Sequence, residues 1–276
     1  KRAKKPVIIA GQGCNDSAEE LKAFAEKLQI PVTTTLHALG CFDERHDLAL
    51  NFVGMHGHPT PNYMVQDADL IINVGSRFDD RITGRMSDFV PGARKAAELG
   101  VGGIIHVDVR LSEKAKQIEP HFFVHSTGKN FLTTINEALS KEVDLVPQTS
   151  DWLQKKADLE KKYPITIPSY TAEEITLTDE NGIKRTAIRK PMSTQRVVQV
   201  LDKTLLDAGR MDDAIFTTGV GIHQMVAAQL ITWTQPRQMI SSGSLGTMGV
   251  SLGYCIGAKL ANEKKICVSV DGDGSF

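Results

Sequence analysis

The chain has 276 residues, 41% of them hydrophobic and 24% charged, with 32 Lys and Arg against 33 Asp and Glu and a formal net charge of −1. That length divides naturally into about two domains with substantial cores, and the charge balance lacks the basic patch that nucleic acid or an anionic membrane would favour. No apolar run is long enough to span a bilayer, and Cys14, Cys41, Cys255 and Cys267 show neither zinc-site nor disulfide-framework spacing, which leaves reduced, mostly buried thiols as the expectation.

The first 140 or so residues alternate short apolar runs with helical patterns, which predicts βαβ units around a mostly parallel sheet. Strands are expected at Pro6 to Ala10, Pro31 to Thr35, Asp69 to Gly75 and Gly103 to Val109. After the first strand, Ala10-Gly11-Gln12-Gly13 reads either as a plain βα turn or as a glycine turn that lets backbone approach a dinucleotide. Ser17-Ala18-Glu19-Glu20 then makes a capping box, followed by Leu21, Phe24, Ala25 and Leu28 at helical spacing. Beyond the third strand comes Arg77-Phe78-Asp79-Asp80-Arg81, either a solvated charged loop or arginines whose planar donor forks meet phosphates. From Lys141 to Lys190 the chain turns polar, which predicts a short amphipathic helix from Trp152 to Lys162 and then an exposed linker.

Ser193 is the expected cap of an amphipathic helix carrying Val197, Val198, Val200, Leu201, Leu205 and Leu206. Three strand-like runs follow, and each opens into a glycine turn. Asp213 to Phe216 leads to Thr217-Thr218-Gly219-Val220-Gly221-Ile222-His223, and Gln238 to Ser241 leads to Ser242-Gly243-Ser244-Leu245-Gly246-Thr247-Met248-Gly249. Lys265 to Val270 leads to Asp271-Gly272-Asp273-Gly274-Ser275-Phe276. Between the last two, Val250 to Ala261 reads as a buried helix packed close to a sheet, its start offering free N–H groups to an anion. Asp273, between two glycines at a strand's carboxyl end, sits where a hard cation shared with phosphate oxygens would be held, although a lone Gly-Asp-Gly is also an ordinary turn.

The runs TTGVGIHQM, SGSLGTMG and VDGDGSF resemble the diphosphate-binding domain of thiamine-diphosphate enzymes. With PVTTTL from Pro31, GMHG from Gly54 and VGSRFDDRITG from Val74, the resemblance narrows to the catalytic subunit of acetohydroxyacid (acetolactate) synthases. It implies an α/β protein with two Rossmann-like parallel-sheet domains: an FAD-binding middle domain over 1–140, a linker over 141–190, and a truncated thiamine-diphosphate domain over 191–276. Flavin contacts fall by motif at Gly11, Gln12, Gly13, Thr35, Leu36, Met55, His56, Gly75, Arg77, Asp79, Arg81, Ile82, Asp108 and Val109. The resemblance assigns the diphosphate to Val220, Gly221, His223, Gly246, Gly272, Gly274 and Ser275, and Mg²⁺ to Asp273. Met248 takes the catalytic role of wedging the coenzyme into a bent shape that brings its own amino group to the reacting carbon.

The implied reaction decarboxylates pyruvate and joins the two-carbon unit to a second 2-keto acid, pyruvate or 2-ketobutyrate. The flavin is then mainly structural. A homodimer or homotetramer, a regulatory subunit, and a mitochondrial or plastid location, or bacterial cytoplasm, are further implications, with no nucleic-acid or membrane partner. The isolated chain is expected to be inactive, since the activating carboxylate belongs to the family's N-terminal domain. Departures from the family pattern are Ile222 for Gln, Ser244 for Gly, Tyr254 for Pro and Ser126-Thr127 for Gly-Asp, which put individual contacts in question. Two alternatives stay open: a related carboligase such as glyoxylate carboligase, and a module that only holds FAD or NAD.

Overall fold

The computed structural model describes residues 2–142 and 149–276, so residues 143–148 of the expected linker lie outside the described residues. Six parallel strands form the first sheet: β1 (Pro6–Ala10), β2 (Val32–Thr34), β3 (Ala49–Phe52), β4 (Leu70–Val74), β5 (Gly103–Asp108) and β6 (Phe122–His125). Their order is β3-β2-β1-β4-β5-β6. Helices α1 (Ala18–Leu28), α2 (Pro59–Asp67), α3 (Asp80–Thr83), α4 (Pro91–Glu98) and α5 (Gly128–Ser140) fill the crossovers. Side chains alternate across a strand, and β1 shows the result. Ile8 and Ala10 join Leu21, Phe24 and Leu132 of α1 and α5 on one face, while Val7 and Ile9 join Met64, Val65 and Ala93 of α2 and α4 on the other. Covering both faces is what a continuously apolar strand such as Pro-Val-Ile-Ile-Ala requires.

Helix α6 (Ser150–Lys162) docks on the second face through Trp152, whose indole N–H donates to the Pro6 carbonyl at 2.9 Å. From Tyr163 to Lys190 the expected linker is largely exposed but not featureless. It carries an antiparallel hairpin of β7 (Glu173–Thr178) and β8 (Lys184–Arg189), in which Asp179 caps the turn by accepting from the N–H groups of Asn181 and Ile183.

The second sheet follows α7 (Thr194–Asp207). It comprises β9 (Ala214–Thr218), β10 (Met239–Ser241) and β11 (Ile266–Val270), with α8 (Ile222–Leu230) and α9 (Ser251–Ala261) between them. All pairs are parallel, in the order β10-β9-β11. Ser193 caps α7 as expected, accepting from the Arg196 N–H at 3.1 Å.

Some expectations fail locally. Ser17 heads α1, but its hydroxyl donates to the Cys14 carbonyl at 3.3 Å and accepts from no helix N–H, because its backbone, at φ −144° and ψ 35°, is not in the extended conformation that a capping residue adopts. α9 buries Ser251 and Ala258 against the sheet while Leu252, Ile256 and Leu260 stand exposed, so it is covered along one stripe and not all round. Strands β3 and β6 were not expected. β3 holds Asn51 at positive φ beside a register shift, and β6 is a short, largely exposed edge, so neither has a clean apolar pattern. The cysteines are free, Cys14 and Cys41 buried and Cys255 and Cys267 half-buried, and burial pushes the Cys14 thiol up to about 12.

A third apolar cluster joins the sheets. Leu39 and Phe52 from the first pack with Phe216, Val226, Trp233 and Met239 from the second. Around it, Arg237 pairs with Asp16 at 2.8 Å, and Gly40, at φ +84°, lies so close to Gln235 that a Cβ would sit 2.0 Å from its carbonyl oxygen. Glu44 and Trp233 clasp each other: the Glu44 N–H donates to the Trp233 carbonyl at 2.9 Å, and the Trp233 N–H donates to Glu44 Oε2 at 3.1 Å.

Glu44 Oε1 is sealed from solvent without a hydrogen-bond partner. Burial, opposed by the Trp233 N–H and reinforced by Asp202 and Asp43, pushes this carboxyl well above the usual range. The folded state then binds a proton the unfolded state releases, so stability falls as pH rises above the ordinary Glu value of about 4.3 and levels off once folded Glu44 ionises. Glu44→Gln keeps an acceptor for the Trp233 N–H and cannot ionise. Thermal melts from about pH 4 to about pH 8 should show a shallower decline for this variant than for the parent.

Candidate functional site

Parallel strands put all their carboxyl ends on one edge, which is where the three glycine turns of the second sheet meet. Gly219, after β9, has room for no side chain: a Cβ would lie 2.0 Å from Ser275 Oγ and 2.3 Å from Asp271 Oδ1. Gly272, after β11, is similarly crowded by His223, with Nδ1 2.8 Å from the Cβ position. The third turn joins the others when the Gly249 N–H donates to Ser275 Oγ at 2.9 Å. Gly246 uses a left-handed φ of +65° and faces the Val220 methyl, and the Met248 methyl lies 3.7 Å from the Cβ position of Gly274.

Hydroxyls brace this arrangement from beneath. Thr217 Oγ1 donates to the Ser251 carbonyl at 2.9 Å, and Ser251 Oγ meets Ser269 Oγ at 2.7 Å, linking β9, the start of α9 and β11. Ser241 gathers Thr218 Oγ1 at 2.9 Å and Gln224 Nε2 at 2.7 Å, linking β9, β10 and α8. Both α8 and α9 begin at this edge, where their first N–H groups lack intrahelical partners and the helix dipole is positive.

The two aspartates of the last turn differ. Asp271 is buried beside His223, its Oδ1 3.3 Å from the ring Nε2, yet neither that nitrogen nor Asp271 Oδ2 has a hydrogen-bond partner. The Asp273 carboxylate is exposed and makes no hydrogen bond or ion pair among the described residues. It is the one free to meet a hard cation. No cluster of three or more His, Cys, Asp or Glu side chains suited to a metal occurs among the described residues, so a cation at Asp273 needs ligands from elsewhere, as Mg²⁺ does when it takes phosphate oxygens and water. Orphaned buried polar atoms, crowded glycines and a free carboxylate on one edge suit a metal-bound diphosphate. Met248 is 54% exposed in this chain, and Ile222 stands exposed on the first turn of α8.

On the first sheet the strand order reverses between β1 and β4, and a ligand crevice is expected at that switch point. There the Gly11–Gly13 turn meets Gly75: a Cβ on Gly11 would lie 2.1 Å from the Gly75 carbonyl oxygen, and one on Gly13 would lie 2.8 Å from the Gly75 Cα. These glycines are therefore required by backbone against backbone. Gln12 and Gly13 remain exposed at the mouth. Thr35 is held after β2 by its N–H bond to the Ala10 carbonyl at 3.0 Å, and half-buried Leu36 follows it.

The other candidate segments also converge on this rim. The Met55 N–H donates to the Arg81 carbonyl at 2.7 Å, bringing Met55 and His56 beside Arg81 and Ile82. Arg77 pairs with Asp79 at 2.8 Å, and Asp79 accepts from the Arg81 N–H at 3.1 Å, so the charged run is partly self-satisfied and keeps further guanidinium donors free. Asp108 ends β5 with its carboxylate on the Arg110 N–H at 2.7 Å, and Val109 and Met55 present exposed apolar surface, 60% and 61% accessible. This rim, with open backbone, arginines and apolar flanks, suits a flavin dinucleotide.

Sequence reasoning passed over several residues here. Asp271, Ser251, Ser269 and Gln229 act through partners distant in the chain, and so does His37, whose Nε2 lies 2.3 Å from the Cβ position of Gly243 in the other sheet unit. Burial, helped by Arg77, holds the His37 imidazole below its ordinary value. No local spacing encodes such pairs.

Two doubly wound parallel sheets, one carrying three converging glycine turns at its carboxyl edge, define a cofactor-binding α/β protein of the diphosphate-holding kind. Family comparison matches residues 1–135 to the thiamine pyrophosphate enzyme central domain and residues 219–276 to the C-terminal TPP binding domain, and the chain belongs to the thiamine pyrophosphate enzymes. It is 41% identical over 279 residues to the mitochondrial acetolactate synthase of Schizosaccharomyces pombe, covering 100% of this chain and 39% of that protein. With the mitochondrial acetolactate synthase catalytic subunit of Saccharomyces cerevisiae the identity is 42% over 277 residues, covering 99% and 37%. With the chloroplastic acetolactate synthase 2 of Nicotiana tabacum it is 37% over 275 residues, again covering 99% and 37%. The chain thus spans less than two fifths of the length of these relatives.

Gly219→Ala tests the packing of the turns. The added methyl has to displace Ser275 Oγ and Asp271, so a loss of about 1–3 kcal/mol is expected in urea denaturation, the usual cost of overpacking.

Proposed function

We propose that this chain is the middle and following portion of an acetolactate synthase catalytic subunit, holding FAD on the first sheet and thiamine diphosphate with Mg²⁺ on the second. The observation that carries the reading is the free Asp273 carboxylate among three converging glycine turns, with Met248 over the Gly274 turn. The similarity to fungal and plant acetolactate synthases along the whole chain supports it. Residues 1–140, 141–190 and 191–276 act as flavin domain, linker and diphosphate domain.

Bound thiamine diphosphate supplies the electron sink for decarboxylating a 2-keto acid and passing on the two-carbon unit. The chain's residues do the rest. Asp273 would hold Mg²⁺, and the backbone at Val220, Gly221, Gly246, Gly272 and Gly274, with His223 and Ser275 lining the same turns, would receive the diphosphate. Met248 would fill space beside the Gly274 turn and press on the coenzyme there, a job for a bulky, unbranched apolar side chain. Gly11, Gln12, Gly13, Thr35, Leu36, Met55, His56, Gly75, Arg77, Asp79, Arg81, Ile82, Asp108 and Val109 would hold the flavin, whose part there would be structural. Pyruvate is the donor, and pyruvate or 2-ketobutyrate the acceptor. The subunit works as a homodimer or homotetramer with a regulatory partner. Its place is a mitochondrion or plastid, a reading supported by the mitochondrial and chloroplastic names of the fungal and plant relatives.

Acetolactate formation by the full-length subunit should require thiamine diphosphate, Mg²⁺ and FAD together, and removing the metal with EDTA should abolish it reversibly. Asp273→Ala should lower kcat/KM at ordinary magnesium by about 100-fold or more, with partial recovery at excess Mg²⁺. Unchanged activity in Asp273→Ala would remove the proposed anchor and with it the reading.

A further inference from the structure

We infer that Gln229 is a positioning residue that ties the flavin loop of the first sheet unit to the diphosphate turn of the second. The inference rests on the proposed binding of both cofactors and adds what holds them in register. Helix α8 carries His223 in its first turn and Gln229 in its last. At a rise of about 1.5 Å per residue it is a strut roughly 9 Å long between those positions.

Its far end is bolted to the flavin loop by a reciprocal pair. Gln229 Nε2 donates to the His56 carbonyl at 2.6 Å, and the ring Nε2 of His58 reaches the Gln229 carbonyl at 3.0 Å. A carbonyl only accepts, so His58 Nε2 carries the proton. Burial holds the His58 imidazole below its ordinary value, which keeps the ring neutral while it makes this bond. Both bonds engage backbone carbonyls, so a shift of the loop pulls on the helix itself.

The loop has little other freedom. Asn62 clamps it from the opposite side, accepting from the Gly54 N–H at 3.0 Å and donating to the carbonyls of Gly54 and His58, each at 2.9 Å. The near end of α8 is equally fixed, because Gln224 Nε2 bonds Ser241 Oγ at 2.7 Å at the mouth of the Ser242 to Gly249 turn. Ordering the diphosphate turns by ligand therefore steadies α8, and through Gln229 steadies Met55 and His56, which the proposed function assigns to the flavin. By linkage the effect runs equally in reverse.

The test uses the full-length subunit freed of cofactors. FAD is titrated by flavin fluorescence quenching, with and without saturating thiamine diphosphate and magnesium chloride, and the converse titration is made by calorimetry. In the parent protein each cofactor should tighten the other by the same factor, about fivefold or more. Gln229→Met keeps side-chain length and removes the donor while retaining the backbone carbonyl that His58 meets, and should cut that factor at least about twofold while leaving thiamine-diphosphate affinity without FAD unchanged. Independent binding in the parent, or full coupling in Gln229→Met, overturns the inference while leaving the functional reading intact. Failure of the parent to bind FAD at all overturns both. Hydrogen exchange gives a readout that needs no variant: thiamine diphosphate with Mg²⁺ should slow exchange at the amides of Met55, His56 and His58, and unchanged exchange there would refute the coupling.

Discussion

The crowding at Gly219 governs the second sheet unit. Ser275 Oγ and Asp271 Oδ1 occupy the space where any side chain would begin, so β9 and β11 present their turns at a separation that only glycine permits. The same Ser275 hydroxyl takes the Gly249 N–H, which draws in the third turn and, with it, Met248. Interiors are packed too densely for such an arrangement to flex without cost. The edge where the three turns meet is thus set by steric exclusion, and the buried hydroxyls of Thr217 and Ser251, with Ser269 bonded to the latter, hold it there.

The contact between the sheets matters for the same reason. The proposed flavin rim and the proposed diphosphate edge belong to different units, yet Leu39, Phe52, Phe216 and Trp233 share one apolar cluster. Polar bonds placed around that cluster, at Glu44 with Trp233 and at Gln229 with His56 and His58, give it direction. Apolar burial is indifferent to orientation, whereas hydrogen bonds to backbone fix one relative pose. A chain that needs two cofactors in register has reason to use both.

Much of this was legible from residue order. The buried β1, β4 and β5 announced themselves as apolar runs, Ser193 as a helix cap, and the glycine turns as strand-end features. Ser17 misled, because a capping pattern cannot reveal the backbone conformation that keeps its oxygen from the helix N–H groups. The hairpin over Glu173 to Arg189 hid behind polar composition, and Asn51 at positive φ masked β3.

Local pattern therefore determined the βαβ character of the first unit and the positions of the glycine turns, and motif resemblance supplied the two-domain fold, because periodicity, turn chemistry and motif spacing are properties of neighbours in the chain. Only the tertiary structure decided that Asp271 is turned inward to His223, that Gly11 and Gly13 are glycines because Gly75 lies against them, and that Gln229 reaches across to His56. Each of these joins residues far apart in sequence, and their meeting is set by how strands order and helices cross, which no short stretch of sequence records.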